Sequence, residues 1–358
     1  MQLFTPLDLG ALTLPNRIVM APMTRTRSGE DGVPGAIVAE YYAQRAGAGL
    51  IITEGVFTSS ESRAYPGQPG IVTNAQQQGW ADVAAAVHAE GGRVFMQLMH
   101  GGRVAHMKIT DTDRIVAPSA IAINGEVRLA DGSRTPFPTP HALTTDELAE
   151  VRAEFVETAR RAVAAGLDGV EIHAANGYLL HEFLAPSSNQ RTDGYGGSPD
   201  ARAKFVIEVA EAVVAEIGAD RVGIRISPSH NIQDIVETDP DDVKSTYLAL
   251  VRGIRPLGLS YLSILHAEPA GDLVQSIRQE FAGAFVVNTG FGAITTREDA
   301  EAFIADGIAD AVAVGRPLIS NPDLADRWKS GAEETPVDPA TLYGSSAVGY
   351  TDYPKLKP

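Results

Sequence analysis

Cysteine is missing entirely from the 358 residues. Its absence excludes disulfides, a thiolate nucleophile, cysteine-ligated zinc and ordinary iron–sulfur clusters. Long hydrophobic runs are missing too: no stretch reaches the roughly 18 uninterrupted apolar residues of a membrane helix. The opening Met1-Gln2-Leu3-Phe4-Thr5-Pro6-Leu7-Asp8 has no basic region followed by an apolar one, so a soluble, cytoplasmic protein is expected. Positive charge is in short supply, with 29 Lys and Arg against 45 Asp and Glu and a formal charge of −16. Phosphate backbones and anionic membranes would be repelled over most of such a surface, so neither nucleic acid nor membrane is an expected partner. What remains is a globular composition, 44% hydrophobic, long enough for one large α/β barrel or two ordinary domains.

Short apolar runs alternate with longer Ala- and Glu-rich stretches of helical period, the signature of repeated βα units. Eight strands are expected, near Ile18–Met20, Leu50–Thr53, Val94–Leu98, Gly169–Ile172, Val222–Ile226, Tyr261–Ile264, Phe285–Val287 and Ala311–Val314. Helices read in Trp80–Glu90, Thr145–Ala165, Pro199–Ile217, Asp241–Arg255, Thr296–Ala305 and Pro322–Lys329, several with Ser, Thr, Asp or Pro at the start. Eight such units make a closed (β/α)8 TIM barrel. Two apolar pieces around Asp8-Leu9-Gly10-Ala11 suggest an N-terminal hairpin plugging its bottom. After strand three a long insertion, roughly 100–143, is rich in Gly, Pro, Thr and Asp and is expected over the barrel mouth. No linker breaks the chain, so residues 1–358 are read as a single domain.

Catalytic groups of such a barrel lie at the C-terminal ends of its strands. Strand four runs into His173-Ala174-Ala175-Asn176-Gly177-Tyr178, which sets three polar side chains at one strand end. Two N–H donors and a phenolic proton can bind an oxygen and protonate a neighbouring carbon. Strand one runs into Pro22-Met23-Thr24, strand two into Glu54-Gly55, and strand three carries Gln97. Strand five carries Arg225, a costly charge near a core unless something negative meets it. Gly290 and Gly292 follow strand seven, and Gly315-Arg316 follow strand eight, matching the phosphate site usual in this fold. A phosphate pocket with a cation and amides across the mouth suits flavin mononucleotide (FMN). Arg225 would stabilise the reduced ring, Gln97 would bond the pyrimidine edge and Thr24 would donate to O4.

Long segments of the chain resemble the old yellow enzymes, FMN-dependent ene-reductases, near the N-ethylmaleimide reductases. The resemblance lies in Leu3-Phe4-Thr5-Pro6-Leu7, Pro15-Asn16-Arg17-Ile18-Val19-Met20-Ala21-Pro22-Met23-Thr24, Asp168-Gly169-Val170-Glu171-Ile172-His173 and Asn189-Gln190-Arg191-Thr192-Asp193-Gly194-Tyr195-Gly196-Gly197-Ser198. Tyr343-Gly344 and Gly349-Tyr350-Thr351-Asp352-Tyr353-Pro354 complete it. It implies FMN contacts from Pro22, Met23, Thr24, Gly55, Gln97, Arg225, Gly292, Gly315 and Arg316, substrate-oxygen binding by His173 and Asn176, and proton delivery by Tyr178. It also implies ping-pong turnover in which NADPH or NADH reduces the flavin, and an activated alkene or nitro compound then accepts hydride. Tyr65, Gln233 and Tyr343 match substrate-side positions. Thr24 points to the threonine-type branch, since another branch carries cysteine there. Two departures stand out. Met99 replaces a bulky Trp common among relatives, implying a wider or more adaptable pocket, and His181-Glu182 replaces an acidic-plus-Gln pair.

Other chemistries fit the barrel less well. A sugar-phosphate isomerase or aldolase would want a Lys or Glu poised at a strand end, and no strand ends in lysine. A metal-dependent hydrolase could draw on His100, His173 and His181, but their spacing is not that of HExxH. Reduction of nitrate esters, nitroaromatics or quinones, and a non-catalytic flavin protein, stay open as alternatives. Oligomeric state is not legible.

Overall fold

The computed structural model describes residues 2–356. Eight parallel strands close into a barrel: β1 (Ile18–Met20), β2 (Leu50–Phe57), β3 (Val94–Met99), β4 (Gly169–Ala174), β5 (Val222–Ile226), β6 (Tyr261–Leu265), β7 (Phe285–Asn288) and β8 (Ala311–Val314). Closure is made by β8 on β1, with Val312, Ala313 and Val314 opposite Ile18, Val19 and Met20. Every residue of all eight strands is buried. Strands covered on both faces need no polar alternation, which is why they read as short continuous apolar runs.

The strand cores fall where the sequence places them. The largest difference is β2, which runs on through Glu54 and Gly55 to Phe57, with an irregularity in its pairing with β3 between Ile52 and Gly55. Polar Thr53-Glu54 inside a strand broke the apolar pattern. Helices Thr145–Ala164, Pro199–Ile217, Pro240–Ile254, Arg297–Ala305 and Leu324–Ser330 match expectation closely. The helix expected from Trp80 instead begins at Asn74, six residues earlier, where Thr73 caps it through Gln76 in front of a polar first turn without period. Five helices among the described residues are not legible in the sequence, one of them the single turn Met107–Thr110 in the insertion. Ala36–Ala43 and Asp272–Phe281 begin after Gly35 and Gly271, which offer no side-chain cap. Leu179–Leu184 is buried all round and so has no polar face, and Arg316–Ser320 is a single turn.

The expected hairpin is Leu7–Leu9 paired with Leu12–Leu14. Leu9 and Leu14 pack with the inward residues Val19, Leu50, Phe95, Tyr261, Val286 and Ala311, forming an apolar plug at the bottom. Gly10 has φ +58 and lies so close to the Asp220 carbonyl that a Cβ would approach its oxygen to 2.1 Å, so the turn requires glycine. At the other end the insertion folds into a short helix, Met107–Thr110, and a small hairpin, Glu126–Arg128 with Arg134–Pro136. Arg128, Leu129 and Ala130 of that hairpin form part of the mouth's wall, as expected of the insertion. No helix among the described residues is long and apolar enough to cross a membrane.

Candidate active site

The inward positions change character along the barrel. Apolar residues fill the bottom, whereas Gln97, Glu171, His173, Arg225, Ser263 and Asn288 occupy the upper levels. Register explains their meeting: Gln97 lies opposite Glu171, His173 opposite Arg225, and Arg225 opposite Ser263. Gln97 Nε2 donates to Glu171 Oε1 at 2.8 Å, and Tyr261 Oη donates to Glu171 Oε2 at 2.9 Å. Gly223 makes this possible, because a Cβ there would come within 2.3 Å of the Tyr261 ring. Glu171 therefore faces two donors and the nearby Arg225 charge, while burial pushes its carboxyl upward from the ordinary range.

Arg225 is 2% exposed and, among the described residues, has no carboxylate in hydrogen-bond contact. Its Nη atoms reach Ser263 Oγ at 3.1 Å and Asn288 Oδ1 at 3.4 Å, and its Nε has no partner among the described residues. His173 Nδ1 and Asn176 Oδ1 are likewise buried without partners among the described residues. Three such atoms around one cavity are costly unless a bound group satisfies them.

Above them opens a cleft of about 900 Å³. Its wall includes Pro22, Met23, Thr24, Gly55, Gln97, Arg225, Gly290, Gly315 and Arg316 from the expected cofactor set. It also includes His173, Asn176, Tyr178, Tyr65, Met99, Gln233 and Tyr343. Gly292 does not contribute; it is exposed, while its neighbours Phe291 and Ala293 face the cleft. Gly55 leaves room for Met99, whose Sδ would lie 2.5 Å from a Cβ at that position and would have to move. Arg316 Nη2 donates to the carbonyls of Phe291 at 2.9 Å and Ala293 at 2.6 Å, holding the loop after β7 against the end of β8.

The turn after β4 is held in a demanding shape. Asn176 has φ +58 and Gly177 φ +82. The Asn176 N–H donates to Ser227 Oγ at 2.8 Å and the Gly177 N–H to His181 Nδ1 at 2.9 Å. His181 is in turn bonded through Nε2 to Tyr247 Oη at 3.0 Å, beside Glu237. The unexplained His181 of the sequence thus pins the turn that aims Asn176 and Tyr178. A non-glycine residue in the left-handed region costs about 1–3 kcal/mol and persists only where its surroundings enforce it.

His173 and Tyr178 meet edge to face, with ring centroids 5.0 Å apart. Burial, then Arg225 and His181, hold His173 well below the ordinary imidazole range, so it is neutral and offers one N–H. Burial and the neighbouring Tyr65 push the Tyr178 phenol well above its ordinary range, so it carries its proton. Tyr178 Oη lies 2.8 Å from Tyr65 Oη, and Gln233 Nε2 donates to Tyr65 Oη at 3.3 Å.

Sequence reasoning passed over Glu171, Tyr261, Asn288 and Arg128. Glu171 sits inside a strand run and reads as a strand residue, and Asn288 reads only as the start of the loop after strand seven. Glu171 is shown to point inward by its register with Gln97, and Asn288 by its side-chain bond to Arg225. Among the described residues no group of three or more His, Asp or Glu could hold a metal ion.

Residues 2–335 match the NADH:flavin oxidoreductase / NADH oxidase family. A probable flavin mononucleotide-dependent alkene reductase of Leishmania infantum is 39% identical, over 98% of this chain and 96% of its own length. The 12-oxophytodienoate reductase 1 of Oryza sativa subsp. japonica is 38% identical, over 99% and 93%. Among solved structures, morphinone reductase in complex with tetrahydroNAD superimposes with a TM-score of 0.93 at 43% identity, covering 100% of this chain and 98% of that one. The old yellow enzyme homologue of Zymomonas mobilis gives 0.94 at 39%, covering 99% and 100%. With the barrel, the polar upper layer and these full-length similarities in agreement, the chain is a member of the NADH:flavin oxidoreductase / NADH oxidase family, the old yellow enzymes, and an oxidoreductase of that family.

Proposed function

We propose that this protein is an FMN-dependent ene-reductase. It would draw electrons from NADPH or NADH and reduce activated alkenes such as enones, maleimides and nitroalkenes. The observation that carries the reading is the set of buried, unpartnered polar atoms, Arg225 Nε, His173 Nδ1 and Asn176 Oδ1, around one deep cleft. The residues fit the cofactor. Arg225 supplies a buried cation for the electron-rich edge of a flavin. Glu171 holds the Gln97 amide so that its carbonyl oxygen is left for a ring N–H. Thr24, Gly55, Pro22 and Met23 would line the ring's site, and the ends of β7 and β8, with Gly290, Gly315 and Arg316, would hold the phosphate. Bound FMN supplies hydride transfer, from the nicotinamide and then to the β-carbon of the alkene.

The chain's own part is binding and proton control. Neutral His173 and Asn176 donate to the carbonyl or nitro oxygen and withdraw charge from the double bond as it develops there. Tyr178, protonated and beside them, delivers its Oη proton to the α-carbon. Ala64, Met99, Val104 and Ile123 pack around Tyr178 and keep that corner dry. Every group comes from one closed barrel and its loops, which supports reading the chain as a single FMN-binding domain. A flavin carrier without catalysis would leave His173, Asn176 and Tyr178 no task.

The test is an anaerobic visible-absorption titration of purified protein, first with NADPH or NADH and then with 2-cyclohexenone. Bleaching followed by return of the oxidised flavin spectrum is the expected result. A protein that is colourless and does not take up FMN would sink the reading. A spectrum that bleaches and stays bleached would move the substrate to nitro compounds, nitrate esters or quinones.

A further inference from the structure

Tyr178 is not an isolated phenol. Its Oη is 2.8 Å from that of Tyr65, and the Tyr65 oxygen receives the Gln233 amide N–H at 3.3 Å. The rings of the two tyrosines are edge to face, 6.4 Å apart. Gln233 reaches this position from a backbone at φ +56, followed by Asp234 at φ +59. Two consecutive residues in the left-handed region are held there by Arg103, whose Nη2 donates to both carbonyls, at 3.3 Å and 2.8 Å. The fold sustains strain to place one amide over one phenol, and packing alone does not require an amide there.

We infer that Tyr65 and Gln233 are positioning residues for the proton transfer, with Tyr65 stabilising and reloading the Tyr178 oxygen; the inference rests on Tyr178 being the acid. As the Tyr178 O–H bond breaks and the C–H bond forms at the α-carbon, negative charge develops on the Tyr178 oxygen. Whichever hydroxyl donates at rest, that charge makes Tyr65 the donor, since among the described residues it is the only hydrogen-bond partner of the Tyr178 hydroxyl. The Tyr65 proton then crosses to Tyr178. This leaves a phenolate at Tyr65, where two donors converge, the restored Tyr178 O–H and the Gln233 N–H. A charge with two donors is held better than a charge with one. Burial raises both phenols, and the Gln233 N–H acts to lower Tyr65. The Tyr65 phenolate regains its proton from water at the mouth, beside Tyr343, which is 63% exposed. The other titratable groups against the pair are Tyr343, which acts to raise both phenols, and His173, which is neutral.

The test compares FMN-loaded wild type with Tyr65→Phe, Gln233→Leu, Gln233→Glu and Tyr178→Phe. Two readouts are taken: tyrosinate absorbance against pH without substrate, and single-turnover reoxidation of the reduced enzyme by an enone. The inference expects the first tyrosinate step of the pair to move to higher pH in Gln233→Leu and further in Gln233→Glu, where a donor becomes a like charge. Reoxidation should slow about 10- to 100-fold in Tyr65→Phe, the worth of one hydrogen bond to a charged group. The two Gln233 variants should rank in reoxidation as they do in titration. An unshifted tyrosinate step in both Gln233 variants would overturn the inference. So would full-speed reoxidation in Tyr65→Phe while Tyr178→Phe is slow, and in that case the proposed function still stands. Full-speed reoxidation in Tyr178→Phe would instead remove the acid on which both readings depend.

Discussion

A phenol used as an acid needs to keep its proton until the moment of transfer, and the surroundings of Tyr178 do this by exclusion of water. A free tyrosine already holds its proton up to about pH 10, and burial beside Tyr65 takes Tyr178 well above that. The same burial makes the acid weak, so its rate advantage comes from position. Tyr178→Phe removes only the hydroxyl and keeps the ring against His173. Flavin reduction by NAD(P)H should survive, while enone turnover falls by about 10²–10⁴-fold, the usual loss for a positioned general acid. Separate stopped-flow measurement of the two half-reactions checks this, and equal turnover in variant and wild type would dismiss Tyr178 as the donor. At this scale the sequence was informative where polar residues cluster locally, as in His173, Asn176 and Tyr178. Tyr65 was placed on the substrate side by the resemblance alone, and its pairing with Tyr178 was not legible, because 113 residues separate the two and no periodicity links them.

The helix Leu179–Leu184 shows what the elements add. It went unread because all six residues are buried, yet it carries both unusual residues of this chain, His181 and Glu182. Glu182 Oε1 accepts the Arg103 backbone N–H at 2.8 Å, and its Oε2 has no partner among the described residues. Gly102, at φ +56, allows the approach, because a Cβ would lie 2.2 Å from Glu182 Oε1. Arg103 in turn holds the strained Gln233–Asp234 turn, so Glu182 anchors a loop that shapes the substrate side. Burial raises its carboxyl from the ordinary 4.5 to about 8, against the pull of Arg103. Between those values the folded state holds a proton that the unfolded chain has released. Stability from this group is therefore full below the unfolded value and is lost as pH rises through the folded one. Glu182→Gln keeps the shape and supplies a permanent N–H donor for the position of Oε2. The variant should melt close to wild type near pH 5 and increasingly above it toward about pH 8.5. Thermal melts across that range decide it, and a melting difference independent of pH would show that Glu182 does not titrate there.

For the whole molecule, the barrel divides labour between its ends. Eight buried strands read as apolar runs, and the count alone was enough to identify the architecture, because a parallel strand covered on both faces has nothing else to show. The upper layer was legible only in part. Glu171 belongs to it through register with Gln97 and Asn288 through its bond to Arg225, and both are properties of the closed barrel rather than of any one strand. The bottom is a separate matter. Leu14 is fully buried in the plug with Leu9, Phe95 and Tyr261, at the opposite end from the polar layer that lines the cleft. Groups at the bottom of such a barrel serve stability, and groups at the top serve chemistry. Leu14→Ala should therefore cost about 2–5 kcal/mol of stability, as a large-to-small change in a packed core does. At a temperature where the variant is folded, its kcat/KM for an enone should stay within about twofold of wild type, since distant sites couple weakly. Tyr261 is the residue through which this separation would fail, because its ring belongs to the plug while its hydroxyl donates to Glu171 and so fixes Gln97. A Leu14→Ala enzyme that melts early and also loses turnover would mean that the cavity shifts Tyr261, and that the plug sets the geometry of the upper layer as well as closing the barrel.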